Sequence, residues 1–205
     1  MRPLEGTCGL DKRMGPEKGY SMSNRLGRPL IDGPTHAAIS KASITLGQEA
    51  VSRMLRKYRS AYQFLRAARL RDGVLVGEFG KMQRPYSKSD CGHMTGYDTL
   101  VCVSQLAHVF MCLILENKLS PVVADLSPAE FAIADEESRV VLTQFKCSFH
   151  SRVQDDRRRA IRMTLDRIRA INHDVVVRMS FSLDNAIFGQ MESFILRGKG
   201  VRYAT

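Results

Sequence analysis

The residues best suited to chemistry lie within and just before the longest apolar run of the chain. His93 stands in the step Gly92-His93-Met94-Thr95-Gly96, and Ser104 and His108 interrupt the apolar run that follows. On a helix, Ser104 and His108 would share one face, with their Cβ atoms about 5–6 Å apart. The pattern is typical of a polar site, but it also fits two satisfied core residues. In that second case His108 binds a backbone carbonyl, and Ser104 bonds back to the preceding turn.

The loop before this run offers a second group of candidates. His93 can act there as a base or a hydrogen-bond donor, and the N–H groups at the helix start, near Gly96, can stabilise an oxyanion. The structural alternative is a histidine that fixes a turn. Asp98 falls in the first helical turn, where a capping carboxylate contributes about 1 kcal/mol to the helix. Capping is favoured for Asp98 over a nucleophilic role.

These side chains need a buried helix and a sheet to cover it. The pattern predicts a helix from Tyr97 to about Asn117 that is apolar on nearly every side, and such a helix must be covered all round. Its most apolar part, residues 100–115, is too short and too often interrupted to span a membrane. The helix is therefore predicted to lie in the core.

Two turn signals organise the rest of the chain into strands. Asp72-Gly73 lies between strand-like segments at 62–70 and 74–82, and Asp184-Asn185 lies between segments at 175–183 and 187–196. We expect five or six strands, mostly antiparallel, curling about the helix. A further helix is predicted from Ala37 to about Arg59. Residues 1–36, rich in glycine and proline, are predicted to be a flexible arm, and residues 37–205 a single domain.

Composition narrows the class of protein. The 205 residues carry a formal net charge of +10 and are 44% hydrophobic, as in a globular protein. Five cysteines without a C-x-x-C pair give no zinc or redox motif, so no metal site is predicted. Reduced thiols and the lack of an apolar leader favour the cytoplasm. Nucleic acid is not favoured as a partner, because no reader motif accompanies the charge.

The segment from Gly92 to His108 resembles the hotdog superfamily, an α+β fold in which an antiparallel sheet wraps a long central helix. The closer resemblance is to the FcoT-type fatty acyl-CoA thioesterases. In that family a Gly-His step is followed by an Asn-Gln-Leu-Ala-Tyr run inside the helix, and the corresponding residues here are Ser104-Gln105-Leu106-Ala107-His108. The weak similarity spans about residues 48–197. It implies a thioester site at the start of the helix.

The resemblance also implies site residues. Family active-site positions fall on Tyr58, Tyr86, Thr95, Ser104 and His108, of which only the two tyrosines keep the family residue. The predicted catalytic residues are therefore His93, Ser104, His108, Tyr58 and Tyr86. Thr95, Gly96 and Asp98 are expected to bind substrate.

An arginine-rich segment completes the prediction. Arg157, Arg158 and Arg159 suit a phosphate of coenzyme A or the acidic face of a carrier protein, and are expected at an exposed entrance. The alternative is a solvated strand edge that deters aggregation.

The function predicted is hydrolysis of an acyl-CoA or acyl-carrier-protein thioester, with no cofactor apart from the coenzyme A or phosphopantetheine of the substrate. Two alternatives stay open. One is a hotdog lyase, which dehydrates a 3-hydroxyacyl thioester or adds an amine to an enoyl thioester. The other is a non-catalytic protein that binds acyl thioesters. We expect at least a dimer, paired through edge strands.

Overall fold

The structure is a computed structural model that describes residues 33–81, 92–154 and 159–197. Within these ranges the chain forms four α-helices and seven strands, together with single 3₁₀ turns at Ser60–Tyr62 and Pro121–Val123. The elements follow in the order α1 (Gly33–Lys41), β1 (Ile44–Leu46), α2 (Gln48–Met54), β2 (Leu65–Arg71), β3 (Val74–Phe79), α3 (Gly96–Glu116), α4 (Pro128–Glu136), β4 (Val140–Phe149), β5 (Arg159–Ile171), β6 (Asp174–Leu183) and β7 (Ile187–Ile195).

The seven strands form one antiparallel sheet in the order β1-β2-β3-β5-β6-β7-β4. Alternate side chains of the central strands, such as Leu75, Met163 and Met179, are buried on the inner face. Helix α3 supplies the other half of this core, with Leu106 and Phe110 fully buried. A single antiparallel sheet curled about a long helix is the α+β hotdog fold, which confirms the predicted fold class.

Helix α3 has the length and apolarity of a membrane span, yet 78% of its most apolar window is buried inside the protein. It is the only helix of this kind in the part of the chain that the structure describes. The burial confirms that it is a core helix.

Both predicted hairpins are present. Asp72 and Gly73 adopt φ angles of 51° and 79° between β2 and β3. Asp184 and Asn185 adopt 48° and 53° between β6 and β7. Tight hairpins whose twist matches the sheet need positive φ at both central residues, and these residue types tolerate it.

The predicted helix from Ala37 to Arg59 is wrong as one continuous element. The chain forms α1, the short strand β1 and then α2. Ile44 and Thr45 are β-branched and favour extended backbone, and β1 pairs with β2, Ile44 lying opposite Leu70. Gly47, in extended conformation, is the N-cap of α2, which begins at Gln48.

The boundary of the predicted arm also moves. Residues 33–36 belong to α1, and Thr35 is fully buried, with its hydroxyl donating to Ser120 Oγ at 2.9 Å. Residues 1–32 lie outside the described residues. Helix α4 was not expected from the apolar pattern, although Ser127 and Glu130 form a capping box at its start.

Candidate active site

One face of α3 borders a cavity of about 190 Å³ between the helix and the inner face of the sheet. Ser104, His108 and Tyr58, three of the predicted catalytic residues, line it together. Its walls are otherwise mainly apolar, and the side chains that form them are those of Ala107, Met111, Phe131, Val140, Leu142, Val177, Met179, Met191 and Ile195. The cavity therefore joins an apolar body to a polar wall.

The polar wall centres on a carboxylate. Asp135, in the last turn of α4, lies with its Oδ2 atom 3.1 Å from His108 Nδ1 and in contact with Lys57 Nζ. The side chains of Asp135 and His108 are only 6% and 9% exposed, whereas that of Lys57 is 26% exposed. Both contacts fall on one carboxylate oxygen. Among the described residues, none hydrogen bonds to the other oxygen, Oδ1, which leaves it available to a bound molecule.

The electrostatics of this wall favour an ionised carboxylate. Burial by itself raises the pKa of Asp135, but hydrogen bonds from His108 and Lys57 bring that pKa below its ordinary value. Burial, together with the negative charge of Asp135, raises the pKa of Tyr58 far above the usual range of a phenol. At neutral pH Asp135 is therefore a carboxylate, and Tyr58 keeps its proton as a hydrogen-bond donor.

His108 holds the cluster together rather than acting as a free base. Its Nε2 atom lies 3.0 Å from the carbonyl oxygen of Met54, at the end of α2, and 3.6 Å from Cys112 Sγ. The ring also stacks on Phe131, with the ring centroids 5.3 Å apart. Both ring nitrogens thus face oxygen atoms of α2 and α4, so His108 positions Asp135. His108 thus makes the backbone contact expected of a satisfied core residue, and it also lines the cavity.

Two glutamines fix the segment that carries Lys57 and Tyr58. Gln63 donates from Nε2 to the carbonyl oxygens of Leu55 and Tyr58, at 3.1 and 3.0 Å. Gln105, fully buried on α3, accepts from the backbone N–H groups of Phe64 and Leu65 and donates to the carbonyl of Tyr62. These bonds tie the loop after α2 to the central helix.

Two hydroxyl groups complete the wall. Within the described residues, neither the Ser104 hydroxyl nor the Tyr58 hydroxyl forms a hydrogen bond. The alternative in which Ser104 bonds back to the preceding helical turn is thus not what the structure shows. Partly buried hydroxyl groups normally have a hydrogen-bond partner. Since these two have none among the described residues, each can bind a ligand in the cavity.

The remaining predicted residues gather at the start of α3. Thr95 is the N-cap: its side chain accepts from Asp98 N at 3.2 Å, and its N–H donates to Asp98 Oδ2 at 2.7 Å. Asp98 is fully buried in this capping box, as its capping interpretation predicts. His93 Nδ1 lies 3.0 Å from Arg152 Nη2, and His93 forms a β-bridge with Gln154.

The expectation of one catalytic cluster therefore needs correction. Gly96 begins α3, and Ser104 and His108 follow eight and twelve residues later, which is about 12 and 18 Å along the helix axis. One thioester carbonyl cannot contact both the helix start and His108. His93, Thr95, Gly96 and Asp98 form a group separate from the cavity. Tyr86 lies outside the described residues.

The predicted arginine entrance is also revised. Arg159 is only 5% exposed, and its guanidinium donates to the carbonyl of Gln154, so it does not present a charge to solvent. Its charge and that of Asp98 both act on the buried thiol of Cys102, which places it near the start of α3. Arg157 and Arg158 lie outside the described residues.

Asp135 and Lys57 are not among the site residues predicted from the sequence. Asp135 lies 27 residues from His108 in sequence, so only tertiary packing brings them together. The available signal was the S-x-x-E capping box at Ser127, with Pro128 at the first helical position, which marks the start of α4.

Comparison with known proteins yields structural likenesses only. No protein-family model and no curated protein matches the sequence. The chain is similar to a hypothetical thioesterase with coenzyme A from Streptococcus pneumoniae, with 14% identity, a TM-score of 0.44, and coverage of 74% of this chain and 100% of that chain.

Two further solved structures are similar. A thioesterase superfamily protein from Shewanella loihica has 12% identity, a TM-score of 0.32, and coverage of 67% and 95% of the two chains. A gentisyl-coenzyme A thioesterase has 12% identity, a TM-score of 0.35, and coverage of 58% and 84%. Similarity to the FcoT-type enzymes in particular stays a prediction. By its strand order and helix placement, the protein has the hotdog fold, with a polar cluster near the middle of the central helix.

Proposed function

We propose that this protein hydrolyses an acyl thioester in the cavity beside α3, which we name the mid-helix cavity. The observation that carries the proposal is the buried Asp135 carboxylate, held by His108 and Lys57, at the polar wall of an otherwise apolar cavity. An apolar cavity with a few convergent polar groups is typical of a small-molecule site. A carboxylate that is ionised and half free of partners suits the activation of water.

The chemistry follows from the residues in place. Asp135 accepts a proton from a water molecule as the water oxygen attacks the thioester carbonyl carbon. The hydroxyls of Tyr58 and Ser104, with the ammonium of Lys57, donate to the oxygen that gains negative charge. The tetrahedral intermediate then collapses, the C–S bond breaks, and the thiolate takes the proton from Asp135. The products are a carboxylic acid and a free thiol.

The cavity size points to the acyl group. Its volume of about 190 Å³ lies below the range of about 300–1,000 Å³ that is usual for ligand pockets. A short or medium acyl chain fits this space better than a long one. Met111, Met179 and Met191 line it, and their unbranched side chains adapt to chains of different shape. Acyl-CoA and acyl-carrier-protein thioesters are both proposed substrates.

The edge of the sheet supports a dimer as part of this proposal. Strand β4 pairs with β7 on one side and forms an edge of the sheet. Val140 and Leu142 of this edge strand line the cavity, and Leu142 is 40% exposed. A second copy paired along β4 would cover this wall and satisfy the unpaired backbone groups of the edge.

The test is a screen of acyl thioesters from two to sixteen carbons, with free thiol and acyl mass measured together. We expect equal amounts of free thiol and free acid, with the highest kcat/KM for the shorter chains. A change of acyl mass with the thioester intact would instead show a lyase. Tight binding without turnover would show a non-catalytic binding protein. Either result overturns the proposal.

A further inference from the structure

The sheet carries a second concave site on its outer face, opposite α3. A groove of about 590 Å³ opens there across the strands β3 to β7, and we name it the outer groove. Its size falls within the usual range of ligand pockets, about 300–1,000 Å³. The described residues that line it are Val74, Lys146, Cys147, Ser148, His150, Arg162, Thr164, Ser180, Phe181, Ser182, Phe188, Gly189 and Gln190.

Strand register places most of these side chains in two rows. In the first row, Arg162 lies opposite Ser182, Ser182 opposite Phe188, and Phe188 opposite Ser148. In the second row, Thr164, Ser180, Gln190 and Lys146 follow one another in the same way. Arg162 and Lys146 are therefore three strand spacings apart, roughly 15 Å between their backbones. They stand on opposite sides of a floor rich in hydroxyl groups.

The charge of the outer groove is unbalanced. Among the described lining residues there is no carboxylate, and the Arg162 and Lys146 side chains form no ion pair or hydrogen bond with any described residue. Two carboxylates of the same face are already engaged. Asp166 accepts from Ser180 Oγ at 2.5 Å, and Glu192 accepts from Arg178 Nη2 at 2.6 Å. Thr164 Oγ1 also donates to Asp166, at 3.5 Å, so the hydroxyls of the floor that have no partner among the described residues are those of Ser182 and Ser148. Two free cations together with these two hydroxyl groups complement a phosphate group.

The groove also has an aromatic wall. Phe188 and His150 both line it and meet edge to face, with the ring centroids 5.4 Å apart. Phe188 is partly exposed, so a planar ligand ring can stack against it. Arg162 lies in the same row, two strands away from Phe188. A ring and a phosphate on one small molecule would therefore find partners at this spacing.

From this arrangement we propose that the outer groove binds a nucleotide, through its phosphate at Arg162 and Lys146 and its base at Phe188. The site is separated from the mid-helix cavity by the sheet itself, so the proposal does not rest on thioester hydrolysis. A nucleotide can be bound there while the cavity is occupied.

The experiment is isothermal titration of the full chain with AMP at low salt, with adenosine and inorganic phosphate as separate arms. AMP is expected to bind saturably and more tightly than either fragment, and more weakly as salt screens the charges. Arg162→Glu and Lys146→Glu should each weaken AMP binding at least about tenfold, because each removes a charge-assisted contact. Phe188→Ala should weaken AMP and adenosine but not phosphate.

Arg169→Glu is the matched control, since Arg169 is an exposed arginine of the same strand, about 20 Å further along β5. It should leave AMP binding unchanged, and Arg162→Gln gives a milder variant if charge reversal lowers the melting temperature. Absence of saturable AMP binding would overturn the proposal. So would equal weakening by Arg169→Glu, or binding of an acidic carrier protein through Arg162 and Lys146 without any binding of AMP.

Discussion

Asp135→Asn is the substitution that bears most directly on the proposed chemistry. It keeps the size and shape of the side chain but removes the charge that faces His108 Nδ1, 3.1 Å away, and Lys57 Nζ. Because the side chains of Asp135 and His108 are almost fully buried, the loss should destabilise the fold by about 3 kcal/mol. For a domain of this size, that corresponds to a fall in melting temperature of roughly 6–12 °C.

The same substitution should also lower turnover. Loss of the carboxylate removes the proton acceptor, and the expected decrease in kcat/KM is about 10²- to 10⁴-fold. The assay is thiol release from the best acyl thioester, at a temperature where circular dichroism shows the variant to be folded. Glu136→Gln is the matched control: Glu136 is the adjacent residue, 55% exposed, and its pair with Arg56 at 3.6 Å is solvent-screened. Wild-type kcat/KM in a folded Asp135→Asn variant would exclude Asp135 as the proton acceptor.

The same variant gives a prediction for pH. The pKa of Asp135 in the folded protein lies below its ordinary value of 3.8. The charge of Asp135 therefore stabilises the fold at every pH above 3.8, and this contribution is lost as the pH falls through the lower folded pKa. The stability difference between wild type and Asp135→Asn should accordingly shrink only in acid below about pH 4. A difference that already disappears near pH 6 would contradict the assigned ionisation.

Three further substitutions test the role of Ser104, the edge strand β4 and the packing at Gly189. Ser104→Ala should leave the melting temperature unchanged but lower kcat, because it removes a free hydroxyl from the cavity; an unchanged kcat would exclude that role. Leu142→Lys on edge strand β4 should shift the protein from dimer to monomer in light scattering, and a wild-type monomer at micromolar concentration would contradict the edge pairing. Gly189→Ala should cost about 1–3 kcal/mol in denaturant unfolding, because its Cβ would meet Phe181 and the carbonyl of Lys146, well inside contact distance. Wild-type stability in that variant would show the packing to be looser.

Local signals in the sequence predicted much of the fold. Asp72-Gly73 and Asp184-Asn185 located both hairpins because tight turns need residues that accept positive φ. The unbroken apolar pattern located α3, and its need for cover predicted a sheet curled about it. Strand β1 was missed because it has only three residues and lies within a segment whose apolar spacing predicted a helix. Its pairing with β2 is a tertiary contact that this spacing does not indicate.

The site was predicted only in part, for a related reason. Ser104 and His108 were predicted because their i, i+4 spacing is local, and Tyr58 was predicted through the family resemblance. The structure places all three on the wall of one cavity, and their catalytic roles stay predictions. Asp135 was missed because its partners lie 27 and 78 residues away, and only the packing of α2, α3 and α4 brings them together. His93 was grouped with His108 because the two are close in sequence. The helix between them separates them by about 18 Å along its axis.

The proposed hydrolysis requires the acyl group to lie in the mid-helix cavity, and methionine methyl NMR can locate the acyl group. The measurement is a titration of ¹³C-methyl-methionine-labelled protein with a non-hydrolysable acyl-CoA thioether of six carbons. Met111, Met179 and Met191 line the mid-helix cavity, whereas Met94 lies beside His93 at the start of α3, and Met163 is buried and does not line the cavity. We expect saturable shifts of Met111, Met179 and Met191, with Met94 and Met163 unchanged. Shifts confined to Met94 would place the acyl group at the start of α3 and exclude the mid-helix cavity as its binding site.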